Sequence, residues 1–264
     1  MTQIKWPHRP HARNVGAIVE NQVRRWAFNN QKRASGALPE HWPVVTISRE
    51  CGTQGTALGR RVAERLGFSC WDSEIVTEIA RLLHTDETTV AAFDEHTRGA
   101  IEDLIGSSIF QNIMSADYAV NVRRVIDSIA RRGSAVIVGR GAQFIVDPNR
   151  ALRVRLVAPF EHRVREVETL NGIASEAAKR IIESGDKERA AFVRQITEQN
   201  VADPAQYDVV INTGIYEGER ADALVLMAYL AKFGELPLTE HVSKLKKHPT
   251  GSNLRPETKQ ARLG

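Results

Sequence analysis

The chain has 264 residues, 42% hydrophobic and 26% charged, which is the composition of a folded globular protein and allows one well-buried domain with appendages. No run of about 18 apolar residues is present to span a bilayer, and the opening MTQIKWPHRPHARN lacks the apolar core of a secretory signal. A soluble, cytoplasmic protein with no membrane partner is expected, with Cys51 and Cys70 as reduced thiols, because two cysteines make no disulfide framework.

The formal charge of +4 is unevenly spread: residues 1–40 hold seven Lys/Arg against two Glu, residues 241–264 hold six against one, and the middle is left at −6. Basic ends on an acidic body read first as solvated tails. They make nucleic-acid binding the least favoured function class.

In chain order, residues 14–33 place Val15, Ile18, Val19, Val23, Trp26 and Phe28 mainly on one helical stripe. This predicts an amphipathic helix packed on the body, on a second subunit as a homodimer, or on a protein partner. ASGALPEHWP then reads as a linker. The expected organisation is an N-terminal helix and linker over 1–40, a domain over 41–235 and a basic, disordered tail over 236–264.

Strands are predicted at 44–48, 68–72, 135–139, 153–158 and 208–212, several of them near-continuous Val/Ile/Leu runs. Such runs suit strands buried on both faces of a parallel sheet, with the helical stretches between them as crossovers. Residues 73–134 and 159–207 exceed what a crossover requires, and the second stretch breaks at NGIAS, 171–175, into at least two helices. Insertions of this size, after strands, are expected to form helices of their own beside the sheet.

Between the first strand and the helix TALGRRVAERL lies SRECGTQG, residues 48–55. A strand, a glycine turn and a helix aim backbone N–H groups and the positive end of a helix dipole at one point, which favours phosphate. The common phosphate loop is G-x-x-x-x-G-K-[ST], whose lysine reaches the outer phosphates and whose hydroxyl holds magnesium. With Thr56 at the hydroxyl position, the lysine position is Gly55 and the flanking glycines become Arg49 and Gln54. Either a plain connecting turn or a phosphate loop fits this stretch. Arg49 and Arg60 bracket it, and a guanidinium binds phosphate in bidentate fashion, so either could replace the ammonium.

Together with CWDSEIV (70–76), AVIVGRGAQFIV (135–146), RVRLVAPFEHRVREV (153–167), SGDKERAAFVRQIT (184–197) and YDVVINT (207–213), this loop resembles the cytidylate kinase-like family of P-loop nucleoside monophosphate kinases. The resemblance covers about residues 14–225. It implies a three-layer α/β/α P-loop kinase fold with a five-stranded parallel sheet in the order 2-3-1-4-5, a helical acceptor-binding insertion at about 73–134 and a lid at about 159–207. Ligands would then sit beyond the carboxyl ends of the strands.

The same resemblance implies ATP and Mg2+ as cofactors. The loop residues Gly52, Thr53, Gln54, Gly55 and Thr56 would bind the triphosphate, with Thr56 ligating magnesium and Arg49 standing in for the lysine. Asp72 and Ser73 fall where an Asp-Ser pair contacts the acceptor nucleotide, and Arg140 falls where an arginine holds its phosphate. Arg163 and Arg189 fall in the lid as mobile catalytic arginines that would clamp phosphate charge, Asp186 falls there as a substrate contact, and Arg98, in FDEHTRGAIEDL (93–104), falls in the acceptor-side insertion as another. Gly141 and Glu78 depart from the acceptor contacts of cytidylate kinases, which puts CMP itself in doubt. Two functions follow: an ATP-dependent phosphotransferase acting on a nucleoside monophosphate or related small acceptor, or a nucleotide-binding regulatory module of kinase fold with little or no catalysis.

Overall fold

The computed structural model describes residues 20–24, 27–28, 42–73, 76–77, 79 and 118–237. Five apolar runs form strands: β1 (Val44–Arg49), β2 (Ser69–Trp71), β3 (Ala135–Val138), β4 (Ala151–Val157) and β5 (Val209–Asn212). They hydrogen-bond in the order β2-β3-β1-β4-β5, every pair parallel, as the resemblance implies. Central β1 sets Val45 against Val136 of β3 and Leu152 of β4. β4 begins two residues before the expected start, because Ala151 already pairs with Val44.

Successive side chains of a strand point to opposite faces, and here both faces are covered. On one, Val45, Ile47, Val136, Val138 and Leu152 pack against α1 (Gly55–Leu66) and α6 (Glu219–Phe233). On the other, Val44, Trp71, Ala135 and Ile137 pack against α2 (Tyr118–Arg132) and α3 (Ala142–Ile145). This double covering is why the strands read as unbroken apolar runs. Asp222 of α6, fully buried, accepts from Arg61 of α1 at 2.8 and 2.9 Å and fastens the two helices of the first face.

After β4 the chain forms the expected pair of helices, α4 (Phe160–Asn171) and α5 (Ser175–Thr197), broken where Gly172 takes a left-handed conformation with φ 61°. A third apolar cluster joins Val164 and Val167 of α4 to Ala178 and Ile182 of α5, and it includes Cys51 of the glycine turn. Helices α4 and α5 therefore pack directly on the loop.

Of the N-terminal helix, residues 20–24 and 27–28 are helical, with Val23 fully buried against the α2 face and Ala27 beside it. Phe28, placed on the apolar stripe by the sequence reading, is instead 56% exposed. It follows Ala27 by about 100° around the helix and so turns away from the face that Val23 and Ala27 share. The expectations for Glu78, Arg98 and the tail beyond residue 237 lie outside the described residues. No described helix is long and apolar enough to cross a membrane.

Candidate functional site

The turn between β1 and α1 lies at the carboxyl edge of the sheet. Gly52 (φ 85°) and Gln54 (φ 54°) both take left-handed backbone; the second is a strained state for a residue with a side chain. Thr53 is buried and donates its hydroxyl to the Glu50 carbonyl at 2.8 Å, closing the turn on itself. Gln54, exposed, donates to Glu166 of α4. No side chain caps α1, and no acidic residue stands in its first turn. The first amides of this helix therefore keep their hydrogen-bonding capacity for an anion. Thr56 is half-buried in that turn.

Arg49 is the last residue of β1. Its side chain passes over Gly55, where a Cβ would lie 2.8 Å from Arg49 Cγ, and reaches Gly139, where a Cβ would lie 1.8 Å from Arg49 Nη1. Two glycines thus make the channel that this arginine fills. At its end, Nη2 donates to Ser73 Oγ at 3.0 Å. Burial pushes the Arg49 pKa down to about 9, and repulsion from Arg189 and Arg140 adds to the fall against the opposing pull of Asp72. Three guanidiniums converge there, a field suited to an anion of more than one charge.

Arg140 stands just past β3 with φ 54°, again left-handed for a residue that is not glycine. Its Nε donates to the Ser73 carbonyl at 3.2 Å, and its guanidinium lies 4.5 Å from the centre of the Phe192 ring of α5. Ser73 therefore takes one arginine on its hydroxyl and another on its carbonyl. Asp72, buried, accepts from Arg60 at 3.1 Å. This pairing engages Arg60 with Asp72, and Arg49 is the arginine whose side chain packs against Gly55 of the turn. Gly141 (φ 70°) lies where a Cβ would be 3.2 Å from Ile196 and Thr197 of α5, so a glycine here lets the lid helix approach.

Arg163 differs from the mobile lid arginine that the sequence suggests. It is only 9% exposed and points under the turn. Its Nε donates to the Ala158 carbonyl at 3.1 Å, and its Nη1 to the Cys51 carbonyl at 3.3 Å and to Asp186 at 2.5 Å. Asp186, on α5, accepts the Cys51 N–H on its other oxygen at 2.7 Å, with Arg189 Nη1 3.6 Å away. Asp186 thus meets the loop from α5, with Arg189 beside it one helical turn on.

Sequence reasoning missed a second layer. Glu50 accepts the Ala158 N–H at 3.2 Å and lies 3.5 Å from Arg163 and 3.8 Å from Arg155. Arg155, buried in β4, donates to Ser48 Oγ at 2.8 Å, and the Tyr207 hydroxyl reaches the same oxygen at 3.2 Å and accepts from Gln143. A charged residue inside the apolar run RVRLVA was the available signal, since buried charge demands partners. Cys70 is no nucleophile, because burial and Asp72 push its thiol up to about 12.

A nucleoside triphosphate fits these groups, with loop amides and uncapped helix start on one side and arginines on the other. Magnesium fits only as a phosphate-held ion: among the described residues no three His, Cys, Asp or Glu side chains converge. One hydroxyl, Thr56, with phosphate oxygens and waters meets the usual needs of magnesium.

Comparison with known proteins identifies the family and the fold. The model of the cytidylate kinase-like family matches residues 44–215. A cytidylate kinase of Methanothermobacter thermautotrophicus is 24% identical over 67% of this chain and 98% of its own, and one of Methanopyrus kandleri is 25% identical over 70% and 92%. A uronate isomerase of Corynebacterium glutamicum is 28% identical, but the match spans 43% of this chain and only 22% of that protein. The crystal structure of an uncharacterized protein from Eubacterium ventriosum shares the fold, with a TM-score of 0.55 at 19% identity over 71% of this chain and 98% of its own.

Proposed function

This chain belongs to the cytidylate kinase-like family, and we propose that it is an ATP-dependent phosphotransferase that moves the γ-phosphoryl group to a nucleoside monophosphate or a related small acceptor. The observation that carries this reading is the convergence of Arg49, Arg140 and Arg189 beside an uncapped helix start at the carboxyl edge of the sheet. Phosphoryl transfer needs little covalent help from a protein; positioning and neutralisation of charge do most of the work.

In this reading the amides of residues 52–56 hold the donor phosphates. Arg49, packed against Gly55, meets the charge that a lysine meets in the common loop. Arg140 and Ser73 face the acceptor side, where Asp72 completes the polar wall, and Arg189 closes over the transferred group from the lid. Magnesium, held by Thr56 and the phosphates, supplies neutralisation of the phosphate oxygens when bound. The test is ADP release from the full chain with ATP, magnesium and a panel of nucleoside monophosphates. Turnover of at least one acceptor, lost in Arg140→Ala, is expected.

The second reading, a nucleotide-binding module without transfer, is favoured by Gly55 at the lysine position. It is the outcome if ATP binds with micromolar affinity while no acceptor in the panel turns over.

A further inference from the structure

The contact between Asp186 and the turn has a chemistry that acceptor binding does not use. One carboxylate oxygen accepts the Cys51 N–H at 2.7 Å and the other accepts from Arg163 Nη1 at 2.5 Å. A backbone amide of the glycine turn together with a guanidinium is a donor set for an oxyanion. Here it is filled by the chain's own carboxylate. That carboxylate comes from α5, whose Ile182 and Ala178 pack on Cys51 through the third apolar cluster, so the lid is docked on the loop when the contact is made. Glu50, 3.5 Å from Arg163 Nε, balances the same guanidinium from behind.

We propose that the Cys51 N–H and Arg163 form a further phosphate subsite of the loop, which Asp186 occupies as a resident anion in the ligand-free chain and which a polyphosphate takes over by displacing it. The inference rests on the reading of the turn as a phosphate loop. It extends the loop by one amide beyond residues 52–56, and it makes Asp186 a competitor of the donor phosphates rather than a contact of the acceptor. When the phosphate arrives, Arg163 changes anion without leaving its place under the turn, and α5 loses a tie to the loop. Arrival of the donor would then be coupled to a change in the lid.

Calorimetric titration of the full chain with tripolyphosphate, ATP and adenosine tests this, in the wild type, Asp186→Asn and Asp186→Ser, with thermal unfolding recorded for each. Removing a competing charge-assisted contact is expected to tighten tripolyphosphate and ATP by about tenfold or more. Adenosine, which carries no phosphate, is expected to bind all three alike, a distinction that a purely structural role of Asp186 would not produce. Equal or weaker tripolyphosphate binding by folded variants overturns the inference while leaving the phosphate loop in place. Failure of both neutral variants to fold at 25 °C also overturns it, since Asp186 would then be a structural residue. Absence of tripolyphosphate and ATP binding in every form overturns it together with the proposed function.

Discussion

Arg49 is a buried cation whose neighbours include two further cations, an arrangement that costs free energy until an anion joins it. Its pKa falls on folding, so the fold opposes its charge. Stability from this group is gained as pH rises from about 9 toward the ordinary arginine value of 12.5, while the cation needed for phosphate is lost over the same rise. Arg49→Met is therefore expected to leave the melting temperature unchanged or higher without ligand and to weaken ATP at pH 7.5 by about tenfold or more. Wild-type ATP affinity should fall above pH 9, a step absent from the variant; calorimetry across pH 7.5–10 checks both. Gly139→Ala sets a methyl group 1.8 Å from Arg49 Nη1, and that position already has a left-handed φ of 82°. Loss of activity as large as in Arg49→Met, with the fold kept by circular dichroism, is the expected result. At this scale the sequence named Arg49 from its place beside the glycine turn, and the family resemblance supplied Ser73 and Arg140. It did not reveal that the two arginines converge on Ser73, since that contact joins the ends of three strands 24 and 67 residues apart in the chain.

Between elements, helices α4 and α5 are joined to the glycine turn through Cys51, Asp186 and Arg163. The family motif supplied Asp186 and Arg189, and their helical spacing was legible; their docking on the turn was not, because it depends on how α5 crosses the sheet edge. The pair α1–α6 is fixed differently, by a carboxylate with no exposed surface and two hydrogen bonds from Arg61. Removing the buried carboxylate takes from Arg61 a partner that water replaces only in part, since its side chain is 35% exposed. Asp222→Ala should lower stability by about 3 kcal/mol in urea denaturation. Its effect on the KM for ATP should be small, because Arg61 stands past the first turn of α1, beyond the amides that face the loop. Gly55 and Gly139 belong to this scale too. Read alone, each is a turn glycine, and only the path of Arg49 between them gives the reason for both.

For the whole molecule, a ligand that binds only the folded state raises its stability by mass action. ATP with magnesium at about 100 times its dissociation constant should add about 2.7 kcal/mol and raise the melting temperature by about 5–10 °C. Differential scanning fluorimetry in low and high salt measures the shift, which should shrink with salt as arginine–phosphate attraction is screened. Sequence by itself determined the strands, their parallel pairing and the break between the lid helices, because apolar periodicity, crossover length and a C-capping glycine act over a few residues at a time. The family resemblance supplied the strand order and the positions of the arginines. Tertiary structure alone decided where those arginines point, that Glu50, Arg155 and Tyr207 brace the loop from below, and that Asp186 already sits on one of its amides. A side chain's direction at a sheet edge is set by groups brought together from separate crossovers, and no local pattern in the chain encodes that meeting.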